Sequence, residues 1–420
     1  MDHIKYCRAC SSERIETFFD LGNQPFANCL LKENHFSEKT YPLSLSWCPE
    51  CNLVQLNQTA DPRDLFSEYV WVTGTSSVAR EYSVKFFEDI LARSTGIREK
   101  EFILEVASND GTFLKPFIRG GYKVLGVDPA ENIARSAIAE GVPTKCGFFG
   151  QAMAREVVDE HGYPTIIIVR NVLPHVANLH DFLNGLQLCL NNDGLLAIEV
   201  HYAKVILDEL HYDSIYHEHL CYFSLKSIEK LLNDHGLFIF DIAESLISGG
   251  SIVLYLKKKV LKEKQPVQIY RDNEKKLGTN EIKSWRQFAD KAFSHKKQLL
   301  NLLNEEKKEG GIVIGYGASA RSSTMLNFCN IGRKYISMIA DQNPLKHKCF
   351  TPGTHILIDS PGNVMETNPN TVFVLAWNFL KEIAGHLKTT FKFNGKLIVP
   401  FPYPPKVMNV EEVMNGRHKG

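Results

Sequence analysis

Short runs of consecutive apolar residues, separated by stretches with helical spacing, recur along most of this chain and limit its fold more than any other feature. The first is Glu101-Phe102-Ile103-Leu104-Glu105-Val106. Lys123–Asp128, Thr165–Val169, Gly194–Val200, Phe238–Asp241 and Ser251–Leu256 follow, with amphipathic segments between most of them. Strands apolar on both faces and separated by helices predict a parallel sheet covered on both sides. A second series runs through Gly311–Gly317, Tyr335–Asp341, Thr371–Ala376 and Lys396–Pro400. The chain therefore reads as α/β, a doubly wound sheet followed by a second, smaller Rossmann-like α/β domain. At 420 residues it exceeds one core, and about one domain per 150 residues suggests roughly three.

The amino-terminal segment is different in kind. Cys7-Arg-Ala-Cys10 and Cys48-Pro-Glu-Cys51 are two C-x-x-C pairs bracketing a turn-rich stretch. Each pair can place two thiolates on one tetrahedral ion, so Cys7, Cys10, Cys48 and Cys51 predict a zinc-ribbon-like module. With all four positions taken by cysteine the zinc is structural. The other cysteines (Cys29, Cys146, Cys189, Cys221, Cys329, Cys349) are scattered singly, as packing residues in a reducing compartment are. The expected organisation is a zinc-binding domain over 1–75, a catalytic α/β domain over 76–256, a helical connector over 257–308 and a Rossmann-like domain over 309–420.

Lysine plus arginine equals aspartate plus glutamate, 48 each, so no basic field argues for nucleic acid or an anionic membrane. No apolar run approaches the roughly 18 residues a membrane span needs, and Met1-Asp2-His3-Ile4-Lys5 does not open a signal peptide. A cytoplasmic protein acting on a small molecule is expected.

The candidate sites lie at strand ends. Glu105 through Gly111 (Glu-Val-Ala-Ser-Asn-Asp-Gly) ends the first strand, where open parallel sheets bind ligands. Asp128 ends the second, about 20 residues on, placed to accept both hydroxyl hydrogens of a ribose. A single glycine in place of G-x-G-x-x-G suits S-adenosylmethionine better than a dinucleotide, because no pyrophosphate has to be cradled. The connection after Gly194–Val200 holds Asp213-Ser-Ile-Tyr216-His217-Glu218-His219, which supplies a general base and proton donors for a developing oxyanion. His-Glu-His lacks the i, i+4 spacing of a helical metal site.

Together these residues resemble the C-methyltransferases that act at C3 of nucleotide-linked 4-keto-6-deoxysugars. The likeness runs nearly end to end. It is carried by the cysteine module with Asp20-Leu-Gly-Asn-Gln-Pro-Phe-Ala-Asn28, by Ser108-Asn109-Asp110-Gly111, Arg170-Asn171-Val-Leu-Pro-His175 and Tyr216-His217-Glu218-His219-Leu220, and by Gly249-Gly250-Ser251, Gly315-Tyr316-Gly317-Ala-Ser319-Ala320-Arg321, Asp341-Gln-Asn-Pro344, Pro352-Gly-Thr-His355 and Leu375-Ala-Trp-Asn378. The resemblance implies a class I S-adenosylmethionine methyltransferase sheet. It makes His219 the base, with Tyr216 stabilising an enolate oxygen and Glu218 orienting His219 or a sugar hydroxyl. Glu105, Ser108, Asn109, Asp110, Gly111, Asp128, Pro129 and Asn171 would hold the cofactor. Asn171, His175, His217, Tyr316, Ser319, Ala320 and Arg321 would hold the substrate, its diphosphate lying on the carboxy-terminal domain. A monomer is expected. The pattern is broken at Trp71, which leaves any phenol role to Tyr69, at Ile247-Ser248-Gly249-Gly250 in place of His-Gly-Gly, and at Ser319–Ser322 in place of a more lysine- and glycine-like run. An oxygen- or nitrogen-methylating enzyme of another small molecule or RNA is the alternative.

Overall fold

The computed structural model describes residues 1–32, 38–66, 72–94, 98, 100–245 and 249–416. Tyr69, Trp71, Ile247 and Ser248 lie outside them. The backbone forms two compact units: Met1–Glu16, Ser46–Lys204 and Glu218–Glu281 in the first; Thr17–Leu45, Val205–His217 and Ile282–Gly420 in the second. The first 75 residues are thus divided between the units, and the 257–308 segment divides at Glu281. Its charged run is two helices, Gln265–Leu277 and Ile282–Lys308.

The first unit is built on a seven-stranded sheet. Its strands are β1 (Phe102–Val106), β2 (Lys123–Asp128), β3 (Thr144–Cys146), β4 (Ile166–Arg170), β5 (Leu195–His201), β6 (Phe238–Ser245) and β7 (Ser251–Lys257). Their spatial order is β6-β7-β5-β4-β1-β2-β3. From β3 to β5 every pairing is parallel. β7 is antiparallel to both neighbours, which corrects the expectation of a wholly parallel sheet. Continuous apolar runs look alike in either direction, so periodicity could not separate the two. The half-exposed strand β3 carries no apolar run at all. Chain order reverses between β1 and β4, and a crevice opens outside the carboxyl ends of strands at such a point.

Helix α1 (Ser77–Arg93) begins at Ser76, whose hydroxyl accepts from the Ala79 N–H at 3.3 Å. Its apolar face buries Tyr82, Phe86 and Ile90, and Tyr82 and Phe86 meet Phe113 edge to face at 5.9 and 5.6 Å. Phe113 lies just beyond the β1 loop, so this packing fixes the floor of the crevice.

The second unit carries β8 (Val313–Tyr316), β9 (Met338–Ala340), β10 (Leu357–Asp359), β11 (Thr371–Val374), β12 (Lys396–Val399) and β13 (Lys406–Asn409) in the order β10-β9-β8-β11-β12-β13. All pairings are parallel except β12 with β13. This sheet also has a switch point, between β8 and β11. Ile282–Lys308 turns most of its charges outward and buries Trp285, Phe288, Ala292, Leu299 and Leu303, with Glu306 buried against Thr371 and Lys396. Phe19, from strand Glu16–Gln24, packs edge-on against Phe288 and Phe328 at 5.9 and 5.7 Å, which ties the 17–45 segment to this unit. An open groove of about 640 Å³ lined by Asn370, Phe391, Phe393 and Asn394 lies at the amino ends of β11 and β12, the end of the sheet opposite its crevice.

Candidate functional site

The cysteine module folds as two matching knuckles. In each, the first cysteine's carbonyl accepts from a residue four positions on, Ser11 or Asn52, both at 2.9 Å. Both acceptor turns need left-handed backbone, φ 59° at Ser11 and 62° at Asn52. The sulfur atoms of Cys7, Cys10, Cys48 and Cys51 all lie within 4.8 Å of one another, with Cys7 to Cys51 at 3.4 Å and Cys10 to Cys48 at 3.5 Å. Disulfide sulfurs would be about 2.0 Å apart, whereas four bonds of about 2.3 Å to one tetrahedral zinc place them roughly 3.8 Å apart. The donor set fits zinc. The Cys51 thiol donates to Cys7 and holds it down at about 5, while burial pushes Cys48 up and raises Cys10 to about 11; a dication would take all four as thiolates. Among the described residues this is the group able to hold a metal.

The module reaches the catalytic unit through its backbone. Strand Val54–Leu56 pairs with Cys221–Tyr222, and the Leu56 N–H donates to the Leu220 carbonyl at 2.9 Å. The segment immediately after His219 therefore rests on the strand that follows the second knuckle.

At the crevice, Ala107, Asn109 and Gly111 all have positive φ (56°, 50° and 72°), which coils the β1 loop tightly. A Cβ on Gly111 would lie 2.6 Å from Val142. Asp128 accepts from the N–H groups of Asn109 and Ala130, both at 2.9 Å, so it also holds the loop in place. Asn109 and Asp110 turn toward the entrance to α1. The Asn109 side-chain oxygen accepts from the Thr73 N–H and an Asp110 oxygen from the Gly74 N–H, each at 2.9 Å. Glu105 and Ser108 are buried, and among the described residues Glu105 Oε2 and Ser108 Oγ have no hydrogen-bond partner. Burial raises the Glu105 carboxyl to about 8 against the opposing pull of Arg170. Orphaned acceptors in a coiled loop at a switch point fit a cationic, hydroxyl-bearing ligand such as S-adenosylmethionine.

β4 and β5 bring in a pair that sequence reasoning missed. Arg170 Nε lies 2.8 Å from Glu199 Oε2, and both side chains are buried. Glu199 Oε1 also accepts from Ser245 Oγ at 2.9 Å and Asn171 Nδ2 at 3.2 Å. Asn171 is thus fixed at φ 53° on the rim of the crevice.

The imidazoles gather beside it. The ring of buried His219 is 4.8 Å from His175, 5.2 Å from His201 and 6.5 Å from Tyr222. His175 Nδ1 is 2.7 Å from the Glu218 carbonyl, and burial lowers its pKa to about 4, so it is neutral near pH 7. Glu218 is buried beside it. His201, the last residue of β5, belongs to no motif in the sequence and went unnoticed there.

Tyr216, His217, Tyr316, Ser319, Ala320 and Arg321 belong to the second unit. His217 is edge-on to Phe26 at 5.4 Å, with Nε2 3.1 Å from the Pro42 carbonyl. Tyr316 is hydrogen-bonded to His386 Nδ1 at 2.8 Å. Ser319 caps helix Ala320–Cys329 in a reciprocal box with Ser322, which occupies its hydroxyl. Gly317, with φ 95°, lets the β8 loop pass Ala376, which a Cβ would meet at 2.3 Å. Arg321 is forked onto buried Asp213 at 3.0 and 2.8 Å and lies 4.7 Å over the Trp377 ring, whose Nε1 donates to the same carboxylate at 2.8 Å. In the sequence Asp213 and Trp377 stood only as parts of motifs without a role; here they fix the direction of the guanidinium.

Comparison with known proteins agrees with this geometry. Family models described as a zinc binding domain, a methyltransferase domain and a C-methyltransferase C-terminal domain match residues 7–66, 78–240 and 246–402. The first unit thus contains a class I S-adenosylmethionine-dependent methyltransferase fold joined to a cysteine module. The chain is 31% identical over 98% of its length, and 98% of the relative's, to the C-methyltransferase NovU of Streptomyces niveus. It belongs to the C-methyltransferase family and is an S-adenosylmethionine-dependent C-methyltransferase. Solved methyltransferases from Archaeoglobus fulgidus (14% identity, TM-score 0.34, 42% of this chain and 94% of that one) and Clostridium acetobutylicum (12%, 0.34, 42% and 91%) are also similar.

Proposed function

We propose that the enzyme methylates C3 of a nucleotide-diphosphate 4-keto-6-deoxysugar through an enolate. A ketone at C4 acidifies the C3 hydrogen. S-adenosylmethionine supplies an electrophilic methyl group on a sulfonium. His219 removes the C3 proton, and a phenol, Tyr216 or Tyr222, donates a hydrogen bond that strengthens as the enolate oxygen gains charge. Glu105, Ser108, Asp128, Pro129 and Asn171 hold the cofactor, while Asn109, Asp110 and Gly111 shape its loop. Arg321, with the amides that start its helix, takes the diphosphate.

The observation that carries this reading is the placement of His219, a buried imidazole ringed by two more and a tyrosine, in the unit that contains the cofactor crevice. Methyl transfer to oxygen or nitrogen would need no base placed to take a proton from carbon. The test is mass spectrometry of protein incubated in heavy water with S-adenosylmethionine and a panel of thymidine- and guanosine-diphosphate 4-keto-6-deoxyhexoses. A methyl gain with loss of the C3 hydrogen supports the proposal. A methylated product that keeps that hydrogen removes it.

A further inference from the structure

We infer that His201 is a proton-relay residue that carries the proton taken up by His219 out to solvent. The inference rests on the enolate reading above and concerns a step that reading leaves open. After C3–H cleavage the electron pair stays on the sugar as enolate and then forms the C3–methyl bond, while the proton resides on His219. The sulfonium leaves as a neutral thioether, so no product group needs that proton. It must depart before the next turnover.

His219 is only 5% exposed and cannot deliver it to water directly. Two imidazoles adjoin it. His175 has Nδ1 engaged by the Glu218 carbonyl, and burial depresses its proton affinity, so it is a poor acceptor. His201 is partly exposed, and its ring centroid lies 5.2 Å from that of His219 at 72°. A centroid separation of this size leaves room for proton transfer between the rings, directly or through one water. Its backbone is fixed at the end of β5, paired with Ser251 of β7, and the next residue, Tyr202, donates its N–H to the Gly250 carbonyl at 3.1 Å. Among the described residues, His219, His175 and Tyr222 face this route. Glu199 lies two residues back on the same face of β5, but its charge is taken by Arg170. An imidazole can accept at one nitrogen while releasing from the other, so after each passage it returns to its starting form.

The experiment measures exchange of the substrate's C3 hydrogen in heavy water with S-adenosylhomocysteine in place of the methyl donor, alongside pre-steady-state methyl transfer with the natural donor. His201→Gln keeps a polar side chain of similar reach but cannot relay. The expected result is a first turnover near the wild-type rate, steady-state turnover and deuterium exchange slowed on the order of 10–100-fold, unchanged S-adenosylmethionine affinity, and partial rescue of His201→Ala by added imidazole. Exchange and steady-state rates in His201→Gln equal to wild type overturn the relay while leaving the enolate reading intact. Loss of the first turnover together with cofactor affinity, without imidazole rescue, also overturns it, because that pattern marks a structural role. A wild-type enzyme that exchanges no C3 hydrogen on any ketosugar overturns both.

Discussion

Glu105 shows how a single buried group can couple cofactor binding to pH. Its folded-state value is raised from 4.5 to about 8 by desolvation, so between those values the unfolded chain releases a proton that the folded one keeps. The group therefore subtracts stability as pH rises through that window and nothing below it. Glu105→Gln should melt at the same temperature as wild type at pH 4 and higher at pH 8, read by calorimetry. A cationic ligand needs the ionised form, so S-adenosylmethionine should bind more tightly as pH rises toward 8, by up to about tenfold per unit. Glu105→Gln should flatten that dependence in a titration and weaken binding above pH 8. For the proposed base, His219→Gln is expected to lower methyl transfer on the order of 10²–10⁴-fold while cofactor affinity stays within about twofold, and a wild-type rate would remove His219 from the mechanism.

At the scale of elements, the cysteine module adjoins the segment that follows His219. The knuckle strand Val54–Leu56 pairs with Cys221–Tyr222, two residues beyond His219. Cys48→Ser should lower metal content and thermal stability together, and hydrogen exchange should rise in 218–222 before it rises in β1 or β4. Unchanged exchange there would separate the module from the site. In the second unit, Asp213→Asn breaks the fork on Arg321. It should raise the KM for the proposed nucleotide-linked substrate more than it lowers kcat, at a stability cost of about 3 kcal/mol, typical for removing one partner of a buried pair. The strands with long apolar runs, β1, β2, β4, β5, β8 and β11, were legible in the sequence. β3 and β13 were not, because short edge strands with half-exposed polar residues carry no apolar pattern. The cysteine ligands and the His219 motif stood out by spacing. The roles of Arg170 and Trp377, though both lie in motifs, and of Glu199 and His201 did not, since an ordinary residue at a strand end acquires its role from the neighbours that pairing brings.

For the molecule as a whole, the chain builds a similar architecture twice, a mostly parallel sheet with a switch point in each unit. The first crevice meets its ligand with orphaned acceptors suited to a sulfonium cofactor, and the second offers a pre-aimed guanidinium suited to phosphate. Basic and acidic residues are equal in number, and among the described residues no helix is long and apolar enough to cross a membrane. The central claim is that the methyl group ends on carbon beside a ketone. Carbon-13 NMR of the product made with methyl-labelled S-adenosylmethionine and a nucleotide-linked 4-keto-6-deoxysugar tests it most directly. The account predicts a methyl resonance in the carbon-bound range, coupled to sugar C3, and no such product from His219→Gln. A resonance in the oxygen- or nitrogen-bound range would contradict it.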